Sequence, residues 1–369
     1  MARSTQVRER RDPAPPAAGP EAASSSVPLA RPQLPTQAPL LTGVLAVAVG
    51  ALPMVVLGWG LVAGVLVAVI VQLVALPVWS GAVEGPRRAK DRLATSLMWT
   101  AFGVAMVPLV SLLWQVIGNG VPALSTEFFT YSMRNVVGEG GGIYHALVGT
   151  LIVTGWAAAI SVPVGVMAAI YLVEYGRGTR MARVITFLVD VMTGIPSIVA
   201  GLFAYALFVL FFGPGVRMGF GGSVALAVLM IPIVVRSTEE MLKLVPDELR
   251  EASYALGVAK WRTVTKVVLP TAMGGIVTGV MLAVARVAGE TAPLLIIAGD
   301  TDSVNFNAFS ERMATLPVYI YYSYMQPGIP PEFGRERAWG AALVLIALVM
   351  GLNLIARAVG KYFAPKTGR

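Results

Sequence analysis

The costliest residue in this sequence is an arginine placed about halfway along an apolar run. Arg286 lies within residues 271–298, four positions before Glu290. An isolated Arg at bilayer depth costs from roughly 3 to over 10 kcal/mol, so it requires a partner, a water-filled cavity or both. At about 100° per residue on one continuous helix, Gly275, Gly279, Leu282, Arg286 and Glu290 fall within a stripe about 80° wide. The Gly275/Gly279 spacing admits a second helix, so the charged pair is expected to face protein rather than lipid. Two chemistries fit. One is an ion pair that only fixes helix packing. The other presents guanidinium donors to a passing oxyanion, with Glu290 holding Arg286 when the path is empty. Pro293 is expected to disturb the helix nearby and free backbone groups for water or substrate.

A second polar group interrupts the run 186–212, where Pro196 stands between Thr193 and Ser197. The two hydroxyls can satisfy loosened backbone groups or meet a ligand, and a packing kink is an equal alternative. Asp190, Arg236, Glu239 and Glu240 lie near helix ends and read as interfacial, as does His145 at the start of another run.

Between two apolar runs lies "DELREASYALGVAKWRTVTKVVLP", residues 247–270. Pro246 suits the first turn of a helix and Asp247 and Glu248 suit its positive end, while Leu249, Ala252 and Leu256 form an apolar stripe at helical spacing. Gly257 is expected to end that helix in the left-handed conformation. A second helical pattern through Trp261, Val264 and Val268 is expected to run until Pro270 starts the next span. By these features alone the stretch is a connector lying on the membrane surface.

Composition fixes the solvent in which these groups must be positioned. With 56% hydrophobic residues, 13% charged and a mean hydropathy of +0.73, the 369-residue chain is an all-α polytopic membrane protein. Cys is absent and His145 is the only His, which removes disulfides, Cys or Cys/His zinc sites, thiol nucleophiles and most Ser-His-Asp arrangements. Residues 1–39, with eight prolines and five Arg, read as a disordered polar tail rather than a signal peptide. Residues 40–118 carry N-terminal transmembrane helices, and residues 128–360 form a core whose polar loop spans 246–270. Eight spans are expected, near 40–57, 60–79, 93–118, 144–174, 186–212, 222–243, 271–298 and 338–359, with the first turn at Gly58-Trp59-Gly60. With the N-terminal tail inside, 22 Lys and Arg fall on the cytoplasmic side against 5 outside. That bias predicts both termini and the 246–270 loop in the cytoplasm. The net charge of +8 therefore reflects membrane topology and calls for no nucleic acid.

Glu251-Ala252, Gly257 six residues after the Glu, then Val267, Leu269 and Pro270 resemble the EAA loop of ABC-importer permeases, with Ser253 for its second Ala and Val267 for its Ile. "ARVAGETAPLL" (285–295), "TGIPSIVAGLF" (193–203), "LREASYALG" (249–257) and "FFTYSMRNVVGEGGGIYHALVGTL" (128–151) resemble stretches of the PstA-type phosphate permeases within that family. The resemblance covers about residues 128–355; the tail and first helices inherit nothing from it. It implies an ABC-importer permease core of the binding-protein-dependent type, in the bacterial cytoplasmic (inner) membrane. Glu251, Ala252 and Gly257 would mark the docking point for an ATPase, and Arg286, Glu290, Thr291, Thr193 and Ser197 the substrate path. The implied partners are a homologous PstC-like permease, PstB-like ATPase subunits, a PstS-like extracytoplasmic phosphate-binding protein and membrane lipid. No GxxxxGK[ST] loop occurs in the chain, so ATP and Mg are assigned to the partner ATPase and this chain is read as a non-enzyme without its own cofactor. A permease for sulfate, molybdate or phosphonate is the alternative within the family. A secondary transporter or channel acting alone would predict internal repeats, and no convincing one is present.

Overall fold

The computed structural model describes residues 33–363, which contain helices and loops and no strand. The expected tail, residues 1–39, lies mostly outside the described residues. The chain divides into two compact units, Met1–Leu109 and Val110–Arg369.

In the first unit α1 (Ala38–Leu57) and α2 (Leu61–Val83) form a hairpin. Its turn is the expected one, with Gly58 in the left-handed region at φ +65°. The pair packs on small residues, so closely that a Cβ at Gly50 would lie 2.8 Å from that of Ala68. Glu84 ends α2 before α3 (Pro86–Gly120) begins. Its carboxylate accepts from Ser80 Oγ at 2.7 Å, the Leu34 amide at 3.1 Å and Arg88 at 3.2 Å. These donors, led by Ser80, lower the Glu84 pKa to about 2.

The second unit is organised around α5 (Tyr144–Ile170) and α8 (Gly219–Lys243). Val153, Ala157, Leu226, Met230 and Val234 form its buried centre. Gly165 brings α5 against α8, since a Cβ there would sit 2.7 Å from Val234 Cγ1. Around this pair stand α6 (Arg180–Thr193), α7 (Ser197–Phe212), α11 (Leu269–Ala288) and α12 (Ala292–Ile297). Short α4 (Thr126–Thr130), α13 (Leu316–Met325) and long α14 (Pro331–Phe363) complete one end and a flank. Seven helices among the described residues are long and apolar enough to cross a membrane, and α6 with α7 counts as an eighth if the bent pair is one span.

Three expected elements differ. The run 186–212 is a pair of helices meeting at 110°, because Pro196 lacks an N–H and disfavours helical geometry at Ile195, after Gly194 has already ended α6. The run 271–298 is also broken: α11 ends at Ala288, Glu290 and Thr291 are non-helical, and Pro293 sits in the first turn of α12. Arg286 is therefore in the last turn of α11 rather than mid-helix, and Glu290 has left the glycine stripe. Gly275 and Gly279 do face a neighbour, because Cβ atoms there would meet Met241 and Ser237 of α8. Third, Pro270 does stand in the first turn of α11, but no break in the path precedes it. Chain direction is continuous from Lys260 to Ala288 through a π turn at Val264–Val268, where the wider ring absorbs the missing proline N–H. Thr271 Oγ1 donates to the Val267 carbonyl there at 2.7 Å.

Two residues read as interfacial are buried. His145 is 2% exposed with its ring edge-on to Tyr319, 5.3 Å between centroids. Glu239 is enclosed between Arg236 and Lys243, at 2.7 Å from each, while Arg236 also pairs with Asp190.

Candidate functional site

The two proline breaks meet. Gly201 in α7 lies so near Pro293 that a Cβ would stand 2.6 Å from the proline Cα, which seats the start of α7 against the α11–α12 junction. A third proline, Pro232, lies inside the continuous helix α8 and faces the same space. Where the two breaks meet α8 there is a cavity of about 200 Å³ lined by Thr193, Ser197, Pro232, Arg286 and Glu290, with Met192, Ile195 and Leu229 among its walls. Four of the five path residues singled out in the sequence thus share one space, although Thr193 and Arg286 are 93 positions apart. Thr291 caps α12 beside them, its carbonyl accepting from the Leu295 amide at 3.0 Å, and does not line the cavity.

No ion pair joins Arg286 to Glu290 among the described residues, and the guanidinium makes no side-chain hydrogen bond there. Once the helix ends at Ala288, the i,i+4 geometry that would hold the pair is lost. Ser197 is the first residue of the 16-residue α7, so that helix turns its positive end toward the same space. An unpaired guanidinium, two hydroxyls, a helix start and one carboxylate form a site that can accept an oxyanion and release it again.

The second functional element is α9 (Asp247–Ala255) with α10 (Lys260–Thr263). Pro246 precedes α9 as its cap, and Gly257 has φ +73°, the left-handed conformation expected of it. Leu256, at 83% exposure, together with Leu249, Glu251, Ala252 and Trp261, lies on the open side of the two helices. The apolar stripe is therefore not used by this chain's own core.

Sequence reasoning missed the residue that holds this element in place. Arg250 is turned inward and donates to Glu174 Oε1 through Nε at 3.1 Å and Nη2 at 2.8 Å. It also caps the end of α8, donating to the carbonyls of Leu242 at 2.9 Å and Val245 at 2.6 Å. Glu174 belongs to the π turn Tyr171–Tyr175 that follows α5, so one side chain ties α5, α8 and α9 together. Ser253 and Thr263, 2.8 Å apart and buried, join α9 to α10. Both ends of the Arg250–Glu174 pair are below 10% exposed. Arg250 also pairs with Asp247 at 3.1 Å, so Glu174→Ala is expected to cost about 1.5–3 kcal/mol through loss of the two charged hydrogen bonds. Glu174→Leu combined with Arg250→Met should recover part of that loss. Unfolding midpoints of the purified complex in detergent check both outcomes, and an unchanged midpoint for Glu174→Ala would refute the pairing.

A family profile described as "Binding-protein-dependent transport system inner membrane component" matches residues 161–369, more than half of the chain. The chain belongs to that family. This permease is 51% identical over 273 residues to "Phosphate transport system permease protein PstA 1" of Mycobacterium tuberculosis (strain ATCC 25618 / H37Rv), covering 73% of the chain and 87% of that protein. It is 40% identical over 271 residues to the PstA protein of Haemophilus influenzae (strain ATCC 51907 / DSM 11121 / KW20 / Rd), covering 73% and 94%. Its fold resembles a chain in the crystal structure of a bacterial alginate ABC transporter in complex with an alginate pentasaccharide-bound periplasmic protein. That likeness has a TM-score of 0.52 at 13% identity and covers 76% of the permease and 97% of the other chain.

Proposed function

We propose that this permease is the membrane subunit of an ATP-driven phosphate importer, and that the Arg286 cavity is its substrate path. The observation that carries the reading is the unpaired guanidinium in a cavity it shares with Thr193, Ser197 and Glu290. A charge left unsatisfied at that depth is costly, and a transiting dianion is a partner that relieves the cost only while it is bound. The relatives named PstA supply the substrate class.

Coupling follows from chain continuity. Lys260–Ala288 is a single helical path of 29 residues, about 43 Å at 1.5 Å per residue, with the exposed loop at one end and Arg286 at the other. ATP is bound together with Mg and hydrolysed by PstB-like ATPase subunits on the cytoplasmic side, which engage Glu251, Ala252 and the Gly257 turn. A displacement there is delivered to the cavity as a rigid movement. A PstC-like permease forms the other half of the path, and a PstS-like binding protein delivers phosphate from outside. Both termini lie in the cytoplasm, and the membrane is the bacterial inner membrane.

Co-expression with the neighbouring subunits and reconstitution in liposomes tests the whole assignment. ATP hydrolysis should rise when phosphate-loaded binding protein is added, and labelled phosphate should accumulate inside. Uptake without any ATPase would instead establish a transporter acting alone.

A further inference from the structure

A second cavity of about 520 Å³, separate from the Arg286 site, lies toward the expected outer face of the second unit. Arg217, Arg312, Arg337, Asp300, Asp302 and Tyr319 all line it. Three guanidinium groups and two carboxylates in one space would ordinarily pair. Here, among the described residues, the Arg217 and Arg312 side chains make neither an ion pair nor a hydrogen bond, while the Arg312 carbonyl accepts from Asn305 Nδ2 at 3.1 Å. Arg337 spends its donors on two backbone carbonyls, those of Gly138 at 2.7 Å and Gly140 at 2.9 Å, which leaves its charge uncompensated.

The backbone holds the first two arginines side by side. Gly299 has φ +76°, and a Cβ there would lie 3.1 Å from Arg217 Cδ and 3.2 Å from Arg312 Cγ, so both stems fold across a residue that must lack a side chain. The segment that carries Arg312 is itself fixed. The Met313 amide donates to the Ala298 carbonyl at 3.1 Å, the Phe220 amide to the Ala308 carbonyl at 2.7 Å, and the Leu316 amide to Thr150 Oγ1 at 2.7 Å. The cavity thus gathers three guanidinium groups against two carboxylates, a net positive charge that favours an anion.

A second, independent feature points to a ligand. The hydroxyl of Tyr319 is buried, with the residue only 5% exposed, and meets no hydrogen bond of standard geometry among the described residues, although the Ser323 hydroxyl on the same wall lies within its reach. His145 packs edge-on against its ring and fixes its direction. A buried polar atom without a partner costs about 1–3 kcal/mol, which is recovered when a ligand accepts its hydrogen bond.

We propose that this cavity is a receiving site for a tetrahedral oxyanion of the phosphate class, gripped by Arg217 and Arg312 with Tyr319 donating, before it moves inward to Arg286. The inference rests on the importer reading for its substrate and adds a second station to the path. Burial, reinforced by the Asp302 charge and opposed by Arg312, raises the Asp300 pKa, which weakens one of the two carboxylates that would oppose an anion.

The test uses the complete membrane complex in nanodiscs without its binding protein, probed with radiolabelled inorganic phosphate. Arg217→Gln combined with Arg312→Gln should weaken phosphate binding at least tenfold, Tyr319→Phe should weaken it about threefold, and Arg286→Gln should leave this outer binding in place. Among the described residues the Arg217, Arg312 and Arg286 side chains make no hydrogen bond, so these variants are expected to assemble, which gel filtration checks for all four substitutions. Wild-type binding by the double variant, or binding lost only in Arg286→Gln, overturns the proposal. So does unchanged phosphate binding accompanied by failure to dock the binding protein, which would give the arginines to a carboxylate of that partner. ATP-driven uptake by the wild-type complex is measured in parallel. Uptake without arginine-dependent binding rejects the outer site and keeps the importer; binding without uptake does the reverse.

Discussion

Glu251→Lys is expected to abolish phosphate uptake while the protein inserts and assembles its own helices normally. Nothing inside the chain depends on Glu251: it lies on the open side of α9 and has no ion pair among the described residues, while its neighbour Arg250 makes all the inward bonds. The loss falls on the partner. Opposing like charges across an interface costs several kcal/mol, and each 1.4 kcal/mol is a factor of ten in docking. Uptake should therefore fall at least tenfold in proteoliposomes, with ATP hydrolysis by the ATPase subunits continuing and no longer responding to phosphate-loaded binding protein. Equal uptake and unchanged stimulation by the variant would remove Glu251 from the coupling surface.

The second large effect is expected at Arg286. A charged, bidentate hydrogen bond to an oxyanion is worth about 1.5–3 kcal/mol, so Arg286→Gln should reduce phosphate transport roughly 10- to 150-fold. Arg286→Lys keeps the charge but loses the planar fork, and should fall between the two. Stability should move the other way or not at all, because the guanidinium makes no side-chain hydrogen bond within the described chain and an uncompensated charge at that depth is unfavourable. That split separates a path residue from a packing residue: an ion pair that merely held two segments together would lower the unfolding midpoint when broken. Labelled phosphate uptake and thermal unfolding of the same preparations decide between them, and full transport by Arg286→Gln would show that the cavity is not the path.

Much of this was readable from residue types in order. Apolar run length in a chain of +0.73 mean hydropathy set the helical spans. The Gly58-Trp59-Gly60 turn and the left-handed Gly257 followed from local backbone preferences, which act over a few residues and need no tertiary partner. Arg286 stood out because its desolvation cost is intrinsic to where it falls in an apolar run.

What sequence pattern could not fix was where a run bends and what lies across from it. Residues 271–298 suit one helix by hydropathy, yet the chain breaks after Ala288, which frees Glu290 from Arg286 and moves both to the edge of a cavity. Hydropathy records the cost of leaving lipid, which is nearly the same for a straight helix and a broken one, whereas the break itself is held by Gly201 packing on Pro293 from 92 residues away. The Arg250–Glu174 tie spans 76 positions. Charge spacing along a helix reveals pairs three or four apart, and a pair closed by the meeting of α5, α8 and α9 exists only once those helices have packed.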